Sequence, residues 1–156
     1  SLNVILCTRR RPDLALGRLS ALGEVHEIDT DAATELWETA LAATWHGPPV
    51  WIHGDLCDGN LLAAGGRFSA VIDWGGLAVG DPACDLMVAW SFLDAEAREL
   101  FRTELSVDDA TWARGRGWAL SVALIALPYY WTTNPVRVAY SWHRIGEVLA
   151  DRASGA

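Results

Sequence analysis

Two short, glycine-containing stretches of this 156-residue sequence carry three oxygen-bearing side chains whose types and spacing suit chemistry, besides Asp58, which fits an ordinary loop acid. Asp55 and Asn60 lie five positions apart in HGDLCDGN, which begins at His53, and Asp73 lies within VIDWG. A carboxylate such as that of Asp55 can accept or orient the proton of a hydroxyl group. The amide oxygen of Asn60 and the carboxylate of Asp73 are hard donors of the kind that Mg²⁺ prefers. These residue types and spacings favour metal-assisted chemistry on a hydroxyl group.

The two stretches match, in the same order, the two catalytic signatures of the kinase fold, H-x-D-x-x-x-x-N and D-aromatic-G. Phosphoryl transfer requires an aligned hydroxyl nucleophile and neutralised charge on the γ-phosphoryl oxygens. One carboxylate and two Mg²⁺ ligands meet both requirements. We therefore predict a catalytic loop over residues 53–60 and a metal-binding segment over residues 71–75.

A β-hairpin can bring these two stretches together. Strands are expected over Leu61–Ala64 and Phe68–Trp74, joined through Gly65-Gly66, because paired glycines tolerate the positive φ of a tight turn. The catalytic loop precedes the hairpin and Asp73 lies near the end of its second strand. An antiparallel return therefore places the three oxygen-bearing side chains at one end of the hairpin.

The rest of the chain favours helices around this short β segment. Polar caps, Asp-Pro and Asn-Pro pairs, and apolar residues at helical spacing indicate where they begin and which faces are buried. The expected fold class is α+β, mostly helical. The expected elements are a helix from Thr30 to about Thr44, a buried strand at Val50–His53, and helices from Asp81 to about Phe92, from Asp94 to about Leu105, from Asp108 or Asp109, and from Asn134 onward.

The motifs resemble those of the aminoglycoside phosphotransferase family more than those of protein kinases. HGDLCDGNLL is similar to the family's HGDLxxxNxL loop, and IDWGGLAVGDPACDL is similar to its IDWxxxxxGDPxxDL segment. Protein kinases that modify Ser or Thr usually have Lys two positions after the catalytic Asp, where this chain has Cys57. Specific motifs cover about residues 50–92, and the helical remainder fits the family's C-terminal lobe more loosely.

The resemblance implies the C-terminal lobe of a protein-kinase-like fold, with a short β-hairpin carrying the catalytic and metal-binding loops. Asp55 would be the catalytic base, and His53 would brace the catalytic loop. Asn60 and Asp73 would be ligands of Mg²⁺ and would thereby bind the co-substrate ATP. The implied reaction transfers the γ-phosphate of ATP to a hydroxyl of a small molecule, either an aminoglycoside-like antibiotic or a metabolite.

The expected domain organisation is an uncertain segment over residues 1–28 and a kinase-like C-terminal lobe over residues 29–152. The lobe would contain a helical subdomain over residues 81–151, where Asp81 and Asp85 would fasten the helix start and the catalytic loop.

A nucleotide-binding N-lobe is expected to be absent. Such a lobe supplies a Gly-rich loop and a strand lysine, and needs roughly 65 to 70 residues. Only 52 residues precede His53, no G-x-G-x-x-G occurs, and all 12 basic residues are Arg. The sequence predicts a truncated phosphotransferase that is inactive alone and could associate through the face that the missing lobe leaves.

Two other functions stay open. A noncatalytic pseudo-kinase could bind a small molecule or a partner chain. A metallophosphatase is the other, since GDLCDG resembles a G-D-x-x-D-x-G metal loop, but no D-x-H precedes it and His143 is the only His after His53. Several acidic residues would suit a polycationic aminoglycoside, although solvated helix faces and caps explain them equally well: Glu96, Glu99, Glu104, Asp108 and Asp109.

Composition limits the partners and the location. A formal net charge of −8 and a pI of about 4.8 argue against nucleic acid as the main partner. The longest apolar stretch, Trp118 to Trp131, is shorter than the roughly 20 residues that span a bilayer and is interrupted by Pro128. The N-terminus has no signal-peptide pattern, and the three Cys have no C-x-x-C spacing. We expect a cytoplasmic protein with reduced thiols and no membrane partner.

Overall fold

The computed structural model describes residues 28–154, which form five α-helices and two small antiparallel sheets. The predicted class, α+β and mostly helical, is confirmed, whereas the prediction for residues 1–28 lies almost wholly outside the described part of the chain. The helices are α1 (Thr30–Ala42), α2 (Ala89–Phe92), α3 (Ala95–Glu104), α4 (Asp109–Tyr130) and α5 (Pro135–Ser154), and the strands are β1 (Val50–Ile52), β2 (Leu61–Ala64), β3 (Arg67–Val71) and β4 (Ala78–Gly80).

Aspartate caps set the starts of three helices. Asp94 accepts a hydrogen bond from the backbone of α3, and Asp108 does the same for α4, as predicted. The sequence offers Thr30 or Asp31 as the cap of α1, but the cap is Asp29, whose carboxylate accepts from the backbone N–H of Ala32 at 2.8 Å. These bonds satisfy amide groups that have no partner within the first helical turn.

The segment after Asp81 differs from the single α-helix that we expected. Pro82–Val88 forms a 3₁₀ helix, and only the last turn, α2, is α-helical. Tertiary contacts fix this segment on two sides, because the Asp85 carboxylate binds the catalytic loop and Leu86 packs beneath Gly115 of α4. Such contacts override local helix preference.

The hairpin that carries the candidate site forms as predicted, with two differences. Strands β2 and β3 pair in antiparallel register, and Gly65 and Gly66 have φ of 59° and 75° at the turn. Strand β3 ends at Val71 instead of Trp74, because Asp73 takes the left-handed conformation, with φ of 61°. A β-bulge after Leu62 shifts the register of the pair.

Strand β4 was not expected from the sequence. It pairs antiparallel with β1, so that Val50 lies opposite Gly80 and Trp51 opposite Val79. This pairing ties the chain just before the catalytic loop to the chain just after the metal-binding segment.

Helix α4 is the centre of the core, and glycines allow its neighbours to approach closely. A Cβ on Gly117 would lie 2.5 Å from the Cβ of Ala40 in α1, and one on Gly115 would lie 2.9 Å from the Cβ of Leu86. The core that surrounds these contacts includes several large, fully buried side chains: Trp90, Met87, Leu120, Leu127, Ile145 and Val148.

Over residues 28–154, no helix has the length and apolar character needed to cross a membrane.

Candidate active site

Asp85 holds the start of the catalytic loop. Its two carboxylate oxygens accept hydrogen bonds from the backbone N–H groups of His53, at 2.7 Å, and Gly54, at 2.9 Å. A carboxylate that accepts two backbone N–H groups makes strong, charge-assisted bonds. Asp85 therefore fixes the loop from the 3₁₀ helix that follows the hairpin.

His53 connects the two predicted functional stretches. Its buried ring donates from Nε2 to the backbone carbonyl of Ile72 at 2.9 Å, and its Nδ1 accepts from the backbone N–H of Asp55 at 3.3 Å. The ring also contacts Trp74, with 4.7 Å between ring centroids. These contacts are those of a bracing side chain, because both ring nitrogens are engaged with backbone atoms.

Two glycines allow the backbones of the same two stretches to approach each other closely. Gly54 has φ of 84°, and a Cβ built on it would lie 2.4 Å from the carbonyl oxygen of Gly76. A Cβ on Gly76 would lie 2.9 Å from the carbonyl oxygen of His53. Both positions need glycine, since any side chain would push the catalytic loop away from residues 73–76.

Asn60 is next to Asp55. Its buried side-chain amide donates to the backbone carbonyl of Asp55 at 2.8 Å and lies 3.4 Å from the Asp55 carboxylate. The backbone carbonyl of Asn60 accepts a hydrogen bond from the backbone N–H of Ile72 at 2.9 Å. This bond joins the catalytic loop to the residue before Asp73. Asp55 is exposed. Because the Asn60 side-chain nitrogen donates to the Asp55 backbone carbonyl, the amide oxygen is the Asn60 atom suited to a cation.

Asp73 lies at the beginning of a tight turn. Its exposed side chain follows Ile72, which is bonded both to His53 and to Asn60. Its Oδ1 lies 3.5 Å from where a Cβ on Gly75 would stand, so glycine there leaves space around the carboxylate. The left-handed backbone of Asp73 turns the chain out of β3 at this point.

The donor set fits a magnesium ion that arrives with phosphate oxygens. Within residues 28–154, no group of three or more His, Cys, Asp or Glu side chains is arranged to hold a metal ion. One carboxylate and one amide oxygen are too few to hold Mg²⁺ alone, but Mg²⁺ commonly combines one or two such protein ligands with water and substrate phosphates.

Two side chains of helix α5 lie beside the catalytic loop, and the sequence analysis did not identify them. Tyr140 makes a side-chain hydrogen bond with Asp58, and burial together with this bond raises the pKa of Tyr140 to about 12. Arg144, one turn further on, is only 7% exposed. Burial lowers the pKa of Arg144, whereas the neighbouring Cys57 and Asp58 oppose that change. The spacing of Tyr140 and Arg144 places them on one helix face, which was the only signal in the sequence.

Asp81 and Cys84 have structural surroundings. The Asp81 carboxylate caps the 3₁₀ helix through Ala83 and accepts two hydrogen bonds from Arg114, at 2.7 and 3.2 Å, so the expectation of an N-cap is confirmed. Burial and nearby acids raise the pKa of the Cys84 thiol to about 12. That thiol stays protonated near neutral pH, as a packing residue does.

The acidic residues considered for a polycationic substrate are partly committed elsewhere. Asp108 caps α4, where hydrogen bonds from Thr111 lower its pKa, and Asp109 forms an ion pair with Arg102. Glu96, Glu99 and Glu104 lie exposed on α3.

Comparison with known proteins identifies the family of this chain and structures of similar fold. The sequence profile of the phosphotransferase enzyme family (APH) matches residues 5–118, well beyond the motifs at residues 50–92. A crystal structure of a thermostable mutant of aminoglycoside phosphotransferase APH(4)-Ia, in the apo form, is similar with 24% identity and a TM-score of 0.50, over 83% of this chain and 46% of that chain.

A second structure of a thermostable mutant of that enzyme (N202A), in ternary complex with AMP-PNP and hygromycin B, gives 19% identity and a TM-score of 0.56, over 94% of this chain and 51% of that chain. The present chain thus spans about half the length of these solved proteins. A comparison with curated proteins finds no match.

Proposed function

This chain belongs to the phosphotransferase enzyme family, and we propose that it carries the catalytic lobe of a kinase-like enzyme that transfers the γ-phosphate of ATP to a hydroxyl of a small molecule. One observation carries the proposal. The exposed carboxylates of Asp55 and Asp73 belong to two stretches that His53, Asn60 and the Gly54–Gly76 contact hold against each other. This contact supports a site in which Asp55 acts as the catalytic base and Asp73 as a ligand of the nucleotide's metal ion.

Each residue has a proposed role in this reaction. Asp55 accepts the proton of the acceptor hydroxyl as that oxygen attacks the γ-phosphorus, and Asn60 holds Asp55 in place through its amide. Asn60 and Asp73 would hold Mg²⁺, which when bound neutralises charge on the phosphate oxygens. His53 keeps the two stretches in register and is a positioning residue.

Phosphoryl transfer by these 156 residues alone is expected to be slow. A kinase-type site uses a lysine on the nucleotide phosphates, and the sequence contains none, since all 12 basic residues are Arg. The affinity for ATP and its alignment would therefore be poor unless other residues complete the site.

A second feature supports the proposal that this lobe associates with a nucleotide-binding lobe supplied by another polypeptide segment. Both small sheets expose large apolar side chains, a pattern that marks interaction surfaces. The exposed side chains in the strands include Trp51, Phe68 and Val79, and those in the segment between β3 and β4 include Ile72, Trp74 and Leu77.

A turnover assay tests the proposed reaction. The chain is incubated with Mg-ATP and a panel of alcohols, and labelled phosphate in the product is counted over long times. We expect slow transfer that Asp55→Asn reduces by at least about 100-fold, whereas the same chemical change at the exposed Asp31, Asp31→Asn, leaves it unchanged. Transfer that persists in Asp55→Asn would contradict the assignment of the base. Rapid transfer that Asp55→Asn abolishes would show that these residues need no further lobe.

The noncatalytic binding module remains the second candidate, favoured by the absence of lysine. Calorimetry separates the two functions, because a module of that kind would bind an aminoglycoside in the absence of nucleotide and show no transfer.

A further inference from the structure

An open groove of about 680 Å³ lies between the end of α2 and the start of α5. We propose that it receives the acceptor, and that this acceptor is an uncharged alcohol carrying an apolar ring instead of a polycation; this inference rests on the proposed function. The lining includes Ser91, Phe92, Val136, Ala139, Tyr140 and His143.

The groove borders the catalytic loop through Tyr140. This side chain lines the groove and also makes the hydrogen bond to Asp58, three residues after Asp55. On the other side, Phe92 in the lining meets Phe68 of β3 edge to face, with 5.6 Å between ring centroids. The groove thus lies between α5 and the hairpin, and Tyr140 connects it to the loop that carries the proposed base.

The charge of the lining opposes a polycation. Among the described residues, the lining contains no Asp, Glu, Lys or Arg, and its apolar surface comes from Phe92, Val136 and Ala139. Asp58, which lies beside this lining, is already engaged by Tyr140. Arg144, almost fully buried one turn after Tyr140, adds positive charge on the same helix.

The polar groups of the lining suit hydroxyl groups. The oxygen of the Tyr140 hydroxyl can accept a hydrogen bond while its proton goes to Asp58, and the His143 imidazole can donate or accept one. A few polar groups in a mostly apolar lining are typical of small-molecule sites. An apolar ring would contact Phe92 and Val136, while hydroxyl groups on the ligand face the Tyr140 side.

Phosphoryl transfer to this acceptor needs only the acceptor, ATP and Asp55. The acceptor oxygen forms a bond to the γ-phosphorus, and the bond from that phosphorus to the β–γ bridging oxygen breaks. The electron pair of the broken bond leaves on ADP, and the hydroxyl proton goes to Asp55.

Binding measurements on the full chain test the groove. The probes are phenyl β-glucoside, an uncharged polyol with an aromatic ring, and neomycin, a polycation, both titrated by NMR without nucleotide. Val136→Glu places a carboxylate in the lining at a residue that is 70% exposed, and Leu100→Glu makes a comparable change on α3 at a residue that is 61% exposed and outside the lining. Because both side chains face water, both variants should fold.

We expect the unaltered chain to bind phenyl β-glucoside more tightly than neomycin. Val136→Glu should weaken glucoside binding about fivefold and strengthen neomycin binding, whereas Leu100→Glu should change neither. Tighter binding of neomycin by the unaltered chain, equal effects of the two substitutions, or no binding of the glucoside would overturn the inference.

The proposed function fails in a different way. Asp55→Asn should leave glucoside binding intact while abolishing phosphoryl transfer to it. Normal glucoside binding with transfer from Mg-ATP that Asp55→Asn leaves unchanged would refute the proposed role of Asp55 and leave the groove assignment standing.

Discussion

Asp85 shapes the candidate site by holding backbone atoms. Its carboxylate accepts the N–H groups of His53 and Gly54, and His53 in turn holds Ile72, the residue before Asp73. One side chain therefore positions both the loop with the proposed base and the turn with the proposed metal ligand.

Removing this carboxylate should destabilise the fold. We expect Asp85→Ala to lower the free energy of unfolding by about 2–4 kcal/mol, because two partly buried N–H groups lose a charged acceptor. Glu99→Ala, an exposed acid on α3, should change it by less than about 0.5 kcal/mol. Urea unfolding measures both values, and equal changes in the two variants would contradict the role of Asp85.

Tyr140 should give the protein a stability loss at high pH. Its pKa is raised from 10.0 to about 12 in the folded chain, by burial and by the bond to Asp58. Ionisation in the unfolded chain therefore begins first, so this contribution to stability is intact below about pH 10 and is lost as the pH rises toward 12.

The matched variant for this effect is Tyr140→Phe. Between pH 10 and 12 its free energy of unfolding should fall less steeply than that of the unaltered chain. The ultraviolet titration of tyrosine should also lose its step near pH 12. If the step is still present in Tyr140→Phe, it belongs to another tyrosine and the assignment is wrong.

At the scale of elements, glycines allow close contacts both within the candidate site and between helices. The catalytic loop touches the turn after β3 at Gly54 and Gly76, and helix α4 touches α1 at Gly117. Each contact depends on the absence of a Cβ atom, so each can be tested by adding one.

Gly54→Ala should lower the free energy of unfolding far more than Gly65→Ala, the same substitution in the hairpin turn. Both Gly54 and Gly65 have positive φ, but a Cβ on Gly54 would lie 2.4 Å from the Gly76 carbonyl oxygen, whereas none of the described atoms lies within 4 Å of one on Gly65. We expect a loss of more than about 3 kcal/mol for Gly54→Ala and about 1–2 kcal/mol for Gly65→Ala. Similar losses, measured by thermal or urea unfolding, would show that no tight contact exists.

Replacing each of two helical glycines by alanine should change the free energy of unfolding in opposite directions. Gly117→Ala places a Cβ 2.5 Å from that of Ala40 and should destabilise the chain by about 1–3 kcal/mol. Gly146 of α5 has open space around it among the described residues, so Gly146→Ala should stabilise the chain by about 0.5–1 kcal/mol. Two stabilised variants would contradict the close packing of α4 on α1.

At the scale of the whole molecule, features that depend on neighbouring residues were predictable from the sequence, whereas most contacts between distant segments were not. The Gly65-Gly66 turn and the caps of α3 and α4 depend on residues near in sequence, so pattern alone located them. Strand β4 has only three residues, and its pairing with β1 joins segments distant along the chain. The convergence of the two functional stretches was predictable from the hairpin, whereas the contact between Tyr140 and Asp58 depends on how α5 packs.

Mapping a bound metal–nucleotide complex tests the central claim most directly. Mn²⁺–AMP-PNP is titrated into the isotopically labelled chain, and paramagnetic broadening of the amide resonances is followed by NMR. The account predicts selective broadening at Asn60 and Asp73 and at their neighbours in residues 53–60 and 71–76, and its loss in Asp73→Asn. Broadening centred on the exposed acids of α3, with the resonances of Asn60 and Asp73 unaffected, would contradict the assignment of the site.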